Sequence, residues 1–399
     1  MKLKEYKPIL VIKLIVCVLL VGVSSGILGA IFPWCISRVT ELRSYNPLIL
    51  LLLPFAGLVS VFIYKRLNVM NVGTMDVLES INENKQLPHR VAAAIFPATL
   101  ISHLFGASCG KEGAALQLGA SLAVGFSKLF KLNVNEKKML TACGMSAFFA
   151  AMFGTPFGAA IFGTEITGQR KYNIKERLPW LLPSLVSALI SWNISSSLGT
   201  HGERFHINNI PATDIMSLGK VLVIALCCAL TAYIFYNSIH KCESFALRKV
   251  TNPYIRIFIG GTIVVILTFI SGTFSFNGGG AEIIHGIFSG EKEPFMGFAY
   301  KILFTSISVA CGYKGGEIVP TLFVGATLGS VLSGVVGLDA TFCSAIGIVG
   351  LFSAMTKCPV ASFVIALEMV GAKGAVFMLA TVLVCNFLSG KRSLYIKKK

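Results

Sequence analysis

Long apolar stretches alternate with short polar ones along this chain, and amphipathic stripes are scarce. Runs from Ile9 to Leu28, Val221 to Tyr236, Ile257 to Ile270 and Val376 to Leu388 are typical. A bilayer-crossing helix needs about 20 mostly apolar residues. Several runs are shorter than that, so the pattern predicts ten or more helical spans, many of them tilted, broken or partial. One such run could be a buried helix of a soluble domain, but a succession over the whole length cannot. The predicted fold class is therefore an all-α integral membrane protein.

Composition agrees: of 399 residues 54% are hydrophobic and 13% charged, against about 25% charged in soluble domains. A formal net charge of +17 would suggest a nucleic-acid partner in a soluble protein. Here the cations sit at the ends of apolar runs, and no nucleic acid is expected. Lys2, Lys4 and Lys7 precede the first run; Arg170, Lys171, Lys175 and Arg177 fill one loop; Lys391, Arg392, Lys397, Lys398 and Lys399 follow the last. The positive-inside rule then puts both termini in the cytoplasm and makes the number of full crossings even. Residues 1–28 have the layout of a secretory signal, but similar segments follow, which predicts an uncleaved first span. The eleven cysteines lie in apolar sequence with no C-x-x-C pair and no histidine at ligand spacing. They read as small core residues, and no metal or other cofactor is expected.

The chain repeats itself. Gly110-Lys111-Glu112-Gly113 runs into Ala114-Ala115-Leu116-Gln117-Leu118-Gly119-Ala120, and Gly315-Gly316-Glu317-Ile318 runs into Val319-Pro320-Thr321-Leu322-Phe323-Val324-Gly325-Ala326. Each is a glycine-flanked glutamate opening an apolar helix, with a Gly-Ala pair about two turns on. Further along, Thr155-Pro156-Phe157-Gly158 leads to Glu165 and Cys358-Pro359-Val360-Ala361 leads to Glu368, the carboxylate nine positions after the proline in both. Glu112 to Glu165 spans 53 positions and Glu317 to Glu368 spans 51. Order and spacing together indicate duplication, with a first half over 9–205 and a second over 215–390. Transporters are commonly built from inverted repeats with the substrate site between them.

An ionised carboxylate at membrane depth is costly and marks function by default. Glu112 and Glu317 sit where glycines free the backbone and helices begin, and helix N-termini present unpaired N–H groups to anions. A glutamate there can occupy an anion site when ionised and leave it when protonated, acting as gate and proton carrier at once. The bland alternative is helix packing, with glycines for close approach and a first-turn helix charge. Glu165 and Glu368, nine residues into their helices and near the expected helix ends, read as structural groups accepting backbone N–H bonds from neighbouring loops.

At these residues the chain resembles the CLC family of anion channels and transporters over nearly its full length. Gly110-Lys111-Glu112-Gly113 is similar to the family's G-K/R-E-G motif, with Ala114 in place of the usual proline. Gly316-Glu317-Ile318-Val319-Pro320 is similar to the G-x-x-x-P loop whose amides line the anion site, and Gly390-Lys391 with Leu394-Tyr395 to the last helix. The resemblance implies a homodimer of inverted halves in the plasma membrane, with Glu112 as gate and Tyr395 as inner ligand. It also implies that Lys111, Gly113, Gly316, Glu317, Ile318 and Val319 surround the anion. The expected domain plan is one transmembrane transport domain over 1–399 without a C-terminal regulatory domain; the expected partners are a halide, chloride or fluoride, a proton and lipid.

Three departures from the family pattern matter. The serine-bearing G-S-G-I-P loop aligns only loosely with Asn71-Val72-Gly73-Thr74-Met75-Asp76, so Val72, Thr74 or Met75 stands in for the serine, with Gly73 beside it. Ile166 fills the position where many chloride exchangers carry an internal proton glutamate, and Glu317 replaces an apolar residue. The last two resemble the family's fluoride–proton antiporter branch, in which the extra glutamate serves proton coupling. Val319 argues the other way, since a hydroxyl there would offset more of fluoride's dehydration. The functional expectation is halide transport gated by a protonatable glutamate and coupled to protons; a passive chloride channel is the alternative. Enzymatic chemistry is not expected, since the six histidines form no H-x-x-x-H pair and Gly144-Met145-Ser146-Ala147 lacks the second glycine of a G-x-S-x-G turn.

Overall fold

The structure, a computed structural model, describes residues 8–70, 72–82, 87–168, 174–292, 296–390 and 393–395. Asn71 and most of the terminal and loop cations named above lie outside these residues. Sixteen α-helices and no named strand are found among the described residues. The first eight are α1 (Pro8–Tyr45), α2 (Leu53–Arg66), α3 (Thr74–Asn82), α4 (Val91–Leu104), α5 (Glu112–Leu129), α6 (Val134–Phe153), α7 (Pro156–Gly168) and α8 (Ile174–Ser197). The next eight are α9 (Ile215–Lys249), α10 (Pro253–Ser271), α11 (Ala281–Phe288), α12 (Gly297–Cys311), α13 (Ile318–Val336), α14 (Ala340–Thr356), α15 (Pro359–Val370) and α16 (Ala375–Leu388). Lengths repeat in order: 38 residues in α1 and 35 in α9, 9 in α3 and 8 in α11, 18 in α5 and 19 in α13, 13 in α7 and 12 in α15. The fold is all-α, with two inverted halves of tilted and broken helices.

Six helical segments are long and apolar enough to cross a membrane, and five more are apolar but only 10–17 residues long. Together these make eleven apolar helices among the described residues, in keeping with ten or more spans of which many are short or broken. The first apolar run does not end its helix at Leu28: α1 continues through Pro33 to Tyr45. At 1.5 Å per residue α1 is about 57 Å long, far more than a bilayer core of about 30 Å, so it must tilt or project. Ile12, Ile15, Phe62, Leu230 and Ile270 on α1, α2, α9 and α10 are exposed, an apolar girdle that suits lipid and would be a liability in water.

Local chemistry sets where the short helices start and stop. Asn133 caps α6 by accepting from the amides of Asn135 and Glu136, while Glu136 accepts from the Asn133 amide at 2.8 Å. Asp339 caps α14 through the Phe342 amide at 3.0 Å. The same two helices end on left-handed residues, Gly154 (φ 68°) and Lys357 (φ 59°), and a proline two positions later opens the next helix in both halves. The repeated Gly-Ala pairs bring helices into backbone contact. A Cβ on Gly119 would lie 2.1 Å from the Gly144 carbonyl oxygen, joining α5 to α6, and one on Gly325 would lie 2.5 Å from the Gly347 oxygen, joining α13 to α14. All eleven cysteines are free, eight of them buried, as small core residues would be.

Candidate ion-binding site

The two glycine–glutamate loops meet. The Gly110 amide donates to the Gly316 carbonyl at 2.6 Å and the Gly316 amide to the Gly110 carbonyl at 2.7 Å, a single antiparallel bridge linking the halves. Only glycine allows this approach, since a Cβ on Gly316 would lie 2.3 Å from the Gly113 nitrogen and one on Gly113 2.7 Å from the Gly315 oxygen. Non-helical backbone at membrane depth survives only when buried in protein or lining a cavity, and these loops do both. The bridge sets the N-termini of α5 and α13 side by side, so their unpaired N–H groups converge.

Into that convergence goes the Glu112 carboxylate. Its side chain is fully buried, and Oε2 accepts from the Val319 amide at 3.2 Å in the first turn of α13. Oε1 is buried with no hydrogen-bond partner. The carboxylate thus lies against the α13 N-terminus, with one oxygen still unpaired. Its outer side opens to a cavity of about 450 Å³ lined by Arg43, Lys111, Glu112, Asn277, Gly279 and Val319 among others.

The other expected site residues divide into groups. Thr74 borders the Glu112 loop: its hydroxyl lies 3.5 Å from the Gly113 carbonyl and accepts from Gln117 Nε2 at 3.2 Å. Beside it the Gly73 amide is bound to Asp76 at 2.9 Å, and Met75 is half-buried. Lys111 turns outward into the vestibule, 3.8 Å from Glu203, which also bonds His285 Nε2 at 2.7 Å. Ile318 contributes backbone only, because its side chain packs with Phe149, Phe153 and Phe352 around a small apolar cavity. Tyr395 is buried edge-on to Phe162, and its turn is pinned to the end of α14 by the Leu394 amide on the Met355 carbonyl at 2.9 Å. Glu317 is half-buried at the N-cap of α13.

Glu165 and Glu368 are structural and reciprocal. Glu165 accepts from the amides of Val360 and Ala361 at 3.3 and 2.8 Å, and Glu368 from those of Phe157 and Gly158 at 3.1 and 2.7 Å. Each half therefore caps a short helix of the other. Ile166, next to Glu165, is buried in the apolar core.

Sequence reading missed Gln117, the one polar side chain between Glu112 and Ser121 on α5, which holds Thr74 while its own Oε1 is left unpaired. It also missed two cations, the half-buried Arg43 and the fully buried Lys301. Arg43 donates to the His103 carbonyl at 2.5 Å, and Lys301 donates to the carbonyls of Phe276 and Gly278 at 3.1 and 2.7 Å, shaping the vestibule wall. Lys301 is the one charge in the apolar helix α12, which was the available signal; Arg43 stands near the polar end of α1 and gave none.

Two inverted halves of broken helices, with paired glycine loops presenting helix N-termini to a buried carboxylate, define a membrane transport protein for small anions. The family profile described as voltage gated chloride channel matches residues 56–390. The chain belongs to this family, CLC, whose members are channels and transporters rather than enzymes. A chloride/fluoride channel protein of Pseudomonas syringae pv. tomato strain DC3000 is 28% identical over 386 residues, covering 94% of this chain and 84% of that one. An uncharacterised protein of Methanocaldococcus jannaschii is 27% identical over 387 residues, covering 93% and 91%. The crystal structure of a CLC-type fluoride/proton antiporter superposes with a TM-score of 0.90 at 27% identity, covering 98% of both chains. A slow cyanobacterial Cl⁻/H⁺ antiporter shares the fold, with a TM-score of 0.81 at 18% identity and coverage of 96% and 95%.

Proposed function

We propose that this protein exchanges a halide, fluoride in preference to chloride, for protons across the plasma membrane, with Glu112 as gate and proton carrier. The observation carrying this reading is the Glu112 carboxylate itself, buried and accepting from the Val319 amide at the α13 N-terminus. Ionised, it competes with the anion for the same N–H groups; protonated, it loses the charge that holds it there. Anion arrival and proton uptake are thereby linked at one position.

Glu317 is the second proton-bearing group. The position of the internal glutamate in many exchangers holds the buried Ile166, whereas Glu317 stands on the loop that forms the site. Gly73, Thr74 and Met75 line the gate's flank, with Lys111 at the outer mouth and Gly113, Gly316, Ile318 and Val319 supplying backbone. Tyr395 is the inner ligand. The protein works as a homodimer with a pathway in each subunit, both termini cytoplasmic, and repeat halves over 9–205 and 215–390 within one transport domain.

The test is flux from reconstituted liposomes. An outward fluoride gradient should drive protons inward against their own gradient, with chloride moving far less. Equal chloride flux without proton movement would support a passive channel instead.

A further inference from the structure

We propose that Gln117 positions a hydroxyl ligand for the anion: by donating to Thr74 it leaves the threonine proton free to bind fluoride beside the joint of the two glycine loops. This rests on the halide reading above and names the side chain that sets the preference among halides. Fluoride is small and holds its water tightly, so a site that strips that water must return hydrogen-bond donors. Val319 brings only its amide, since its side chain has no hydroxyl. A side-chain donor therefore has to come from another element.

Thr74 stands where such a donor is needed. It opens α3, and its hydroxyl lies 3.5 Å from the Gly113 carbonyl. Gly113 is the residue on which the halves close, since a Cβ there would lie 2.7 Å from the Gly315 oxygen and 2.9 Å from the Gly316 Cα. Its own amide belongs to the unpaired N–H groups of the α5 N-terminus. The start of α3 is held in turn by Asp76, which accepts from the Gly73 amide at 2.9 Å. Thr74 thus has a fixed backbone and a hydroxyl next to the joint of the two loops.

The direction of the Thr74 proton follows from its partners. A hydroxyl has one proton to give and lone pairs to receive with. Gln117 Nε2 donates to the Thr74 oxygen at 3.2 Å, which occupies the receiving side. The Gly113 carbonyl, at 3.5 Å, is at the outer limit of hydrogen bonding and stands in line for the α5 bond from the Gln117 amide one turn on. A charged acceptor draws a hydroxyl proton more strongly than such a carbonyl does. Packing alone does not account for the amide. The Gln117 side chain is 3% exposed and its Oε1 has no partner, a costly state for a buried polar atom. Methionine would fill the same space without that orphan. Among the described residues, Gln117 is the one side chain that donates to Thr74.

The experiment measures fluoride and chloride binding by calorimetry on the full chain, for wild type, Gln117→Met, Thr74→Val, Thr74→Ser and the Gln117→Met, Thr74→Val double variant. Thr74→Val should weaken fluoride binding at least roughly tenfold, and chloride binding much less, while Thr74→Ser keeps the wild-type ratio. Gln117→Met should lower the fluoride-to-chloride affinity ratio by roughly threefold to tenfold. In the Thr74→Val background it should change that ratio no further, because its effect passes through the hydroxyl. A merely structural glutamine would weaken both anions alike, and its effect would add to that of Thr74→Val. Should Gln117→Met not purify, Gln117→Asn, which draws the amide back by one methylene, carries the same expectation. Unchanged or tighter fluoride binding in Gln117→Met, equal loss of both anions, or additive effects in the double variant would overturn the positioning role while the halide reading stands. Wild type that binds fluoride no better than chloride would instead overturn the fluoride reading, and this inference with it.

Discussion

Replacing Gly316 by alanine probes the joint between the halves. The new Cβ would lie 2.3 Å from the Gly113 nitrogen and 2.9 Å from its Cα. Ordinary contacts are about 3.5–4.0 Å, so the loops must part by about 1 Å. That separation breaks the reciprocal Gly110–Gly316 bonds of 2.6 and 2.7 Å. Each is worth about 1 kcal/mol net, and buried groups left unpaired cost about 1–3 kcal/mol apiece. The expected loss is about 3–6 kcal/mol, together with the amide cluster that receives the anion. Thermal unfolding in detergent and fluoride calorimetry would read both effects. The control is Gly334→Ala in α13, the helix this loop leads into, where an added Cβ meets nothing within 4 Å. That change should be neutral or stabilise by up to about 1 kcal/mol. Unchanged melting and fluoride affinity in Gly316→Ala would refute the view that this bridge builds the site.

Further outcomes concern the caps and the mouth. Glu368→Gln leaves one of the Phe157 and Gly158 amides without its acceptor, so it should lower stability by about 1–3 kcal/mol while the fluoride-to-proton ratio stays fixed. Glu165→Gln should act alike, and a changed ratio in either would assign them a transport role. The Lys111–Glu203–His285 cluster should make stability depend on pH. Burial alone would push the Glu203 carboxyl up, but the His285 bond and the Lys111 cation outweigh it and hold it below the ordinary value. The Glu203 bond raises His285. The His285 contribution is full below about pH 6.5 and is lost as pH rises through the raised value; the Glu203 contribution is full above about pH 4.3 and is lost as pH falls through the lowered one. Melting temperature should therefore be higher near pH 6 than at pH 8.5, and Glu203→Gln should abolish that difference. Val319→Thr would add a hydroxyl beside the Glu112 site and should tighten fluoride binding, which calorimetry can measure.

Much of this was legible in residues whose physics is local. Apolar runs marked α9, α10 and α16, and the repeated Gly-Glu and Pro-to-Glu spacings marked α5, α7, α13 and α15. Glu165 and Glu368 could be read as caps because a carboxylate at the end of a short helix needs donors. What could not be read depends on the partner half. Nothing in Gly110 or Gly316 alone says that they bridge each other, and Ile318 points into an aromatic core that only packing defines. Lys111 looked like an anion ligand by its neighbour in the chain, yet Glu203, 92 positions on, draws it to the mouth. Where long helices end was equally hidden, since α1 runs past its apolar stretch through Pro33.

The most direct test of the account is Glu112→Gln in liposomes loaded with fluoride. The amide matches the carboxylate in shape but carries neither charge nor a transferable proton. Fluoride-driven proton uptake should vanish, while the protein stays folded and fluoride binding, freed from competition, stays or tightens. Proton pumping that survives the substitution would contradict the assignment of gate and proton carrier to one residue.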